Sequence, residues 1–115
     1  MPLVRIDLNR GRPAEAVKAI ADAIHEAIVD VYGIPPRDRF QIINQLENGS
    51  IIAEDAGLGF ERTNGVVMIQ IFTQRGRSVE TKQALYAKIH ANLAVIGVAG
   101  EDVFIDFCKH TGTWL

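Results

Sequence analysis

Apolar residues at Val17, Ile20, Ile24, Ile28 and Val31 recur at spacings of three and four, while Glu15, Lys18, Asp22, Glu26 and Asp30 fall largely on the other side. That period predicts an amphipathic helix of about five turns. Pro13 suits its first turn and Gly33 its end. A second stripe, Leu85, Ile89, Leu93 and Ile96, predicts another helix of similar length, capped by Ser78 and closed at Gly97. Four runs rich in β-branched and aromatic residues read as strands: Leu3 to Leu8, Arg39 to Gln45, Val66 to Thr73 and Val103 to Cys108.

The order is strand, helix, strand, twice over, and the two halves resemble each other in sequence. A shift of 65 positions brings Arg10-Gly11-Arg12 onto Arg75-Gly76-Arg77, and also aligns Ile6 with Ile71, Glu15 with Glu80, Ala19 with Ala84, Ile24 with Ile89 and His25 with His90. These are eight identities in the 30 pairs from Leu3 to Tyr32. After a slip of one residue, Gly33, Asp38 and Phe40 meet Gly97, Asp102 and Phe104. An internal duplication is the economical explanation, with repeats at about 2–45 and 66–108 in a single domain, residues 1–115.

A strand, a crossover helix and a second strand make a parallel pair with a right-handed connection. Two such units predict an α+β fold: a duplicated β-α-β unit forming a four-stranded mixed sheet with two helices on one face. The run Val66-Val67-Met68-Ile69-Gln70-Ile71-Phe72 is apolar on both faces, yet two helices cover only one. A homo-oligomer is the expected cover for the other. Between the repeats, residues 46–64 carry Asn48-Gly49, Gly57 and Gly59 and read as turns around Ile51-Ile52.

Composition narrows the function classes. The 115 residues are 48% hydrophobic and 23% charged, as in a folded globule rather than a disordered tail. A net charge of -2 argues against a general nucleic-acid binder, which needs a concentrated basic surface. The lone Cys108 cannot form an internal disulfide. Arg5 and Asp7 interrupt the amino terminus where a signal peptide would need an apolar core, and the uncharged run Thr63 to Gln74 is too short for a membrane span of roughly 20 residues. A cytoplasmic protein with no membrane partner is expected.

Candidate chemistry is sparse. His25, His90 and His110 have no metal-binding spacing, and the equivalent helix positions of the first two suggest a shared structural cause. No glycine-rich phosphate loop follows a strand, and Cys108 has no activating neighbour in sequence. Pro2 stands out. Trimming of the initiator would expose its secondary amine at the start of the first strand. Burial or nearby cations would favour the neutral base, and a carboxylate would favour the charged acid. Two unit charges about 4 Å apart at an effective dielectric near 20 interact by about 4 kcal/mol, or roughly three pKa units, so one neighbour selects the chemistry.

Met1-Pro2 opening a strand, Gly11-Arg12 before the first helix, Asp38-Arg39-Phe40 at the second strand, the repeated Gly76-Arg77-Ser78 and a late Trp114 together resemble the tautomerase superfamily. The long-chain branch containing malonate semialdehyde decarboxylase is the most similar part of it, and the resemblance spans almost the entire chain. It implies a tautomerase-like trimer with sites near subunit boundaries, no cofactor, and processed Pro2 as catalytic amine. It further implies Asp38, Arg75 and Arg77 around that proline, with Arg12, Arg39 and Trp114 binding substrate.

The residues themselves allow that chemistry. Arg75 and Arg77 lie where a strand gives way to a helix and could grip a carboxylate bidentately. A neutral Pro2 would then carry out keto-enol proton transfer on a small 2-oxo acid. An amine kept protonated by Asp38 would instead assist a decarboxylase or hydratase acting on a β-oxo acid such as malonate semialdehyde. Other readings stand beside these: a solvated arginine pair, an Asp38 that begins a turn, a Trp114 that packs a subunit edge, and an inert edge-strand Pro2. They would make the protein a trimeric scaffold or ligand-binding module without turnover.

Overall fold

The computed structural model describes residues 2–74 and 77–110, with the side chains of Gln74, Lys109 and His110 left aside. Seven elements follow in order: β1 (Leu3–Asn9), α1 (Ala14–Tyr32), β2 (Phe40–Leu46), β3 (Val67–Gln74), α2 (Val79–Val95), a 3-10 turn (Gly100–Asp102) and β4 (Val103–His110). The strands form one mixed sheet in the order β2-β1-β3-β4. β1 and β2 are parallel, β3 and β4 are parallel, and β1 meets β3 antiparallel. Each half is therefore a β-α-β unit, and the halves join through their first strands.

Alternation along the strands decides which face meets the helices. Val4, Ile6 and Leu8 of β1 and Val67, Ile69 and Ile71 of β3 are buried with Ile20, Ile24 and Ile28 of α1 and Leu85, Ile89 and Leu93 of α2. The helices are tied to each other and to the sheet by polar contacts: Asn92 Nδ2 donates to the Ala23 carbonyl at 3.1 Å, and the Tyr86 hydroxyl donates to the Ile105 carbonyl at 3.1 Å. On the helix-free face, Leu3, Phe40, Phe72 and Cys108 form one cross-strand row, and Asp7, Asn44, Met68 and Phe104 another. Phe40, Ile42 and Phe104 are each close to half exposed there.

Local sequence accounts for the helix ends. Pro13 precedes α1, and Gly33 ends it in the left-handed region (φ 66°), donating its N–H to the Val29 carbonyl at 2.9 Å. Ser78 caps α2 by accepting from the Thr81 N–H at 3.1 Å. Ile96, the expected last member of the second stripe, lies beyond the helix and is 42% exposed. Gly97 turns the chain there at φ 89°, and the Gly97 and Val98 N–H groups bond the Ala94 and Leu93 carbonyls. This double closure lets Val98 take the buried place the periodicity had given to Ile96. No helix among the described residues is long and apolar enough to cross a membrane.

Candidate active site

Strand direction sorts the candidate residues to two ends of the sheet. Leu3 pairs with both Phe40 and Phe72, so Pro2, one residue earlier, stands between the start of β2 and the end of β3. Asp38 and Arg39 lead into β2 at that end, and Arg77 follows β3 there. Arg12 follows the opposite end of β1, which at roughly 3.3 Å per residue is about 23 Å long. Within one chain, topology thus gathers Pro2, Asp38, Arg39 and Arg77 and sends Arg12 elsewhere. Arg75 and Trp114 lie outside the described residues.

Pro2 is buried on the helix-covered face, two residues before Val4, and Thr73 beside it is buried too. Asp38 is half-buried. Arg77 is exposed and lays its guanidinium over the Tyr32 ring, with Cζ 4.1 Å from the ring centroid, a cation–π arrangement. Burial raises the Tyr32 phenol above its ordinary pKa, while the Arg77 charge acts in the opposite sense. Helix orientation adds a fixed field. α1 brings its carbonyl end to this corner and α2 its N–H end, so the backbone favours a cation near the first and an anion near the second.

Arg39 is at the right end but already engaged. Its Nη2 meets Asp22 Oδ1 at 2.7 Å and its Nε donates to Gln41 Oε1 at 2.9 Å. Lys18 joins the same carboxylate at 2.7 Å, and hydrogen bonds from Lys18 and then Arg39 hold Asp22 below the usual carboxylate range.

At the far end, Arg12 Nη2 donates to the Gly65 carbonyl at 2.7 Å. Asp102, the repeat counterpart of Asp38, accepts from the Thr63 N–H at 2.7 Å and from the Thr63 hydroxyl at 2.6 Å. The pair corresponding to Asp38 and Arg77 is thus filled by the chain's own segment 63–65.

The two histidines are less alike than their alignment suggests. His25 is buried, with Nε2 2.7 Å from the Pro36 carbonyl, whereas His90 is half-buried near Gly100. Cys108 is half-buried, and burial together with Asp106 pushes its thiol up, away from the reactive thiolate. Among the described residues, no group of three His, Cys, Asp or Glu could hold a metal ion. Sequence reasoning missed Tyr32. The available signal was a phenol four residues after Ile28 on the apolar stripe, next to the helix-ending Gly33.

Known proteins resemble this chain over most of its length. Two family models, each described as a tautomerase enzyme, match residues 38–113 and residues 2–61. The chain is 33% identical over 111 residues to the probable tautomerase YrdN of Bacillus subtilis (strain 168), covering 96% of this chain and 85% of that protein. It is 52% identical to FG41 malonate semialdehyde decarboxylase, solved inhibited by 3-bromopropiolate, with a TM-score of 0.93 and coverage of 98% of this chain and 88% of that one. A symmetric trimer of wild-type fused 4-OT shares the fold at a TM-score of 0.77 and 22% identity, over 95% of this chain and 85% of that one.

Proposed function

Because the chain belongs to the tautomerase family, we propose that it is an enzyme in which Pro2, freed by loss of Met1, moves protons on a small oxo acid without a cofactor. The observation that carries this reading is the convergence of buried Pro2, Asp38 and Arg77 at one end of the sheet, between the carbonyl end of one helix and the N–H end of the other. Arg77, with Arg75, holds the substrate carboxylate, and Asp38 sets the charge of the amine. Trp114 is assigned to substrate binding by the family resemblance alone. Arg39 supports the start of β2 through Asp22, and Arg12, held on the Gly65 carbonyl at the other end of the sheet, takes no part in this site within one protomer.

Two reactions use this arrangement. With Pro2 neutral, it takes a proton from carbon and returns it to oxygen, interconverting keto and enol forms. With Pro2 protonated, it donates a hydrogen bond to the carbonyl of a β-oxo acid. The electron pair of the carbon–carboxylate bond then passes toward that carbonyl, carbon dioxide leaves, and the enolate takes up a proton. The 52% identity to a malonate semialdehyde decarboxylase favours the second reaction. A homotrimer covers the half-exposed Phe40, Ile42 and Phe104 of the helix-free face.

The test begins with the intact mass, expected to lack the initiator methionine. Malonate semialdehyde and phenylenolpyruvate are then assayed with wild type and Pro2→Ala, which should lose at least ~100-fold in kcat/KM on whichever substrate is used. Equal rates in the two proteins would remove Pro2 from the chemistry. Titration of the Pro2 nitrogen by NMR separates the reactions: an amine charged at pH 7 supports decarboxylation, and a neutral one supports tautomerisation.

A further inference from the structure

Tyr32 is the last residue of α1 and is only 8% exposed. Its hydroxyl oxygen is buried and has no hydrogen-bond partner among the described residues. Buried polar atoms are nearly always paired, and leaving one unpaired costs about 1–3 kcal/mol. The neighbouring Arg77 cannot accept the phenol's proton, because a guanidinium offers only donors. It also makes no hydrogen bond among the described residues, and its Cζ lies 4.1 Å from the ring centroid.

The repeat counterpart shows what this end of the sheet has in particular. With the helix-ending glycines Gly33 and Gly97 superimposed, the residue before each is Tyr32 and Ile96, and Ile96 is exposed and apolar. At the other end, Arg12 spends an N–H on the Gly65 carbonyl. At this end the arginine has an aromatic platform whose own hydroxyl has no partner among the described residues. One kind of ligand satisfies both groups. A carboxylate accepts from the phenol O–H through one oxygen and from the guanidinium through the other.

We propose that Tyr32 is a substrate-positioning residue: its ring orients Arg77, and its hydroxyl donates to the carboxylate that Arg77 binds. This rests on the reading of Pro2 and Arg77 as one site, and it adds a residue that neither the sequence motifs nor that reading included. The phenol is neutral at pH 7, since burial raises its pKa, and therefore carries the proton to donate.

The test is Tyr32→Phe, which keeps the ring, its packing and the stack on Arg77. Malonate, a dicarboxylate with no reactive carbonyl, is the binding probe, titrated by NMR into wild type and variant. The expected result is a roughly tenfold weaker malonate Kd, a parallel rise in KM, a kcat within about threefold of wild type and an unchanged or higher Tm. An unchanged Kd in the folded Tyr32→Phe protein would overturn the proposal, because a purely structural phenol alters Tm alone. Tyr32→Leu, which also removes the platform, should weaken malonate further than Tyr32→Phe; equal binding by the two would overturn the role of the ring. Pro2→Ala serves as the control. It should lose turnover while binding malonate normally, so a failure of the catalytic reading appears in its rate and a failure of the Tyr32 proposal in the probe affinity.

Discussion

At the end of the sheet that holds buried Pro2, Arg77 lies on a phenol ring; at the other, Arg12 and Asp102 close on residues 63–65. The two ends are built from matching positions of the sequence, yet only one leaves its arginine without a hydrogen-bond partner among the described residues. The difference follows from chain continuity. β3 is entered through Thr63-Asn64-Gly65-Val66, and those residues saturate the aspartate and arginine they pass. Among the described residues no equivalent segment enters the first corner. A repeat therefore duplicates a set of side chains without duplicating their surroundings, because the path of the backbone decides what each of them meets.

The comparison is broken most forcefully at the closed end. Asp102→Ala removes two short hydrogen bonds to a buried carboxylate and strands the Thr63 N–H, which should cost about 3 kcal/mol by chemical denaturation. The kcat/KM of the folded fraction should stay within about twofold. A selective loss of activity with stability intact would mean that the closed corner is catalytic after all.

Arg77→Ala should do the reverse, raising KM by roughly 10- to 100-fold with little change in Tm, since an exposed guanidinium on a ring contributes modestly to folding. Arg12→Ala is the sharper companion. Loss of its bond to the Gly65 carbonyl should lower stability by about 1–2 kcal/mol and leave KM alone. A KM increase like that of Arg77→Ala would show that Arg12 serves a site on a neighbouring protomer.

The smallest effect belongs to the ion cluster beside the open corner. Lys18 and Arg39 depress the Asp22 carboxyl below its ordinary 3.8, so the stabilisation is complete above that value and is lost as pH falls through the lowered folded value. These groups are partly exposed and screened, and Asp22→Asn should cost no more than about 1 kcal/mol at pH 7. The difference from wild type should shrink as denaturation is repeated at successively lower pH below 3.8. A gap that persists there would assign Asp22 a role other than ion pairing.

Much of the fold was legible because it depends on periods and caps. The alternation in Leu3 to Leu8 and the three-four spacing in the helices decide which side of each element is apolar, and Gly33 and Ser78 act within a turn of themselves. Ile96 shows where that reasoning stops. Its spacing fitted the stripe, but Gly97 ended the helix first and passed the buried place to Val98.

For the site, the amino-acid sequence by itself determined the chemistry on offer: one proline able to become an amine, arginines at two matching loops, and an aspartate before each final strand. Tertiary structure decided which of them meet. The antiparallel joining of β1 to β3 puts the end of one repeat's first strand beside the start of the other's, bringing Arg77 and not Arg12 to the Pro2 end. It also set Tyr32 beneath that arginine, a contact between residues 45 positions apart that no local pattern encodes. Periodicity specifies what each element buries, but which side chains meet across elements depends on strand order and direction.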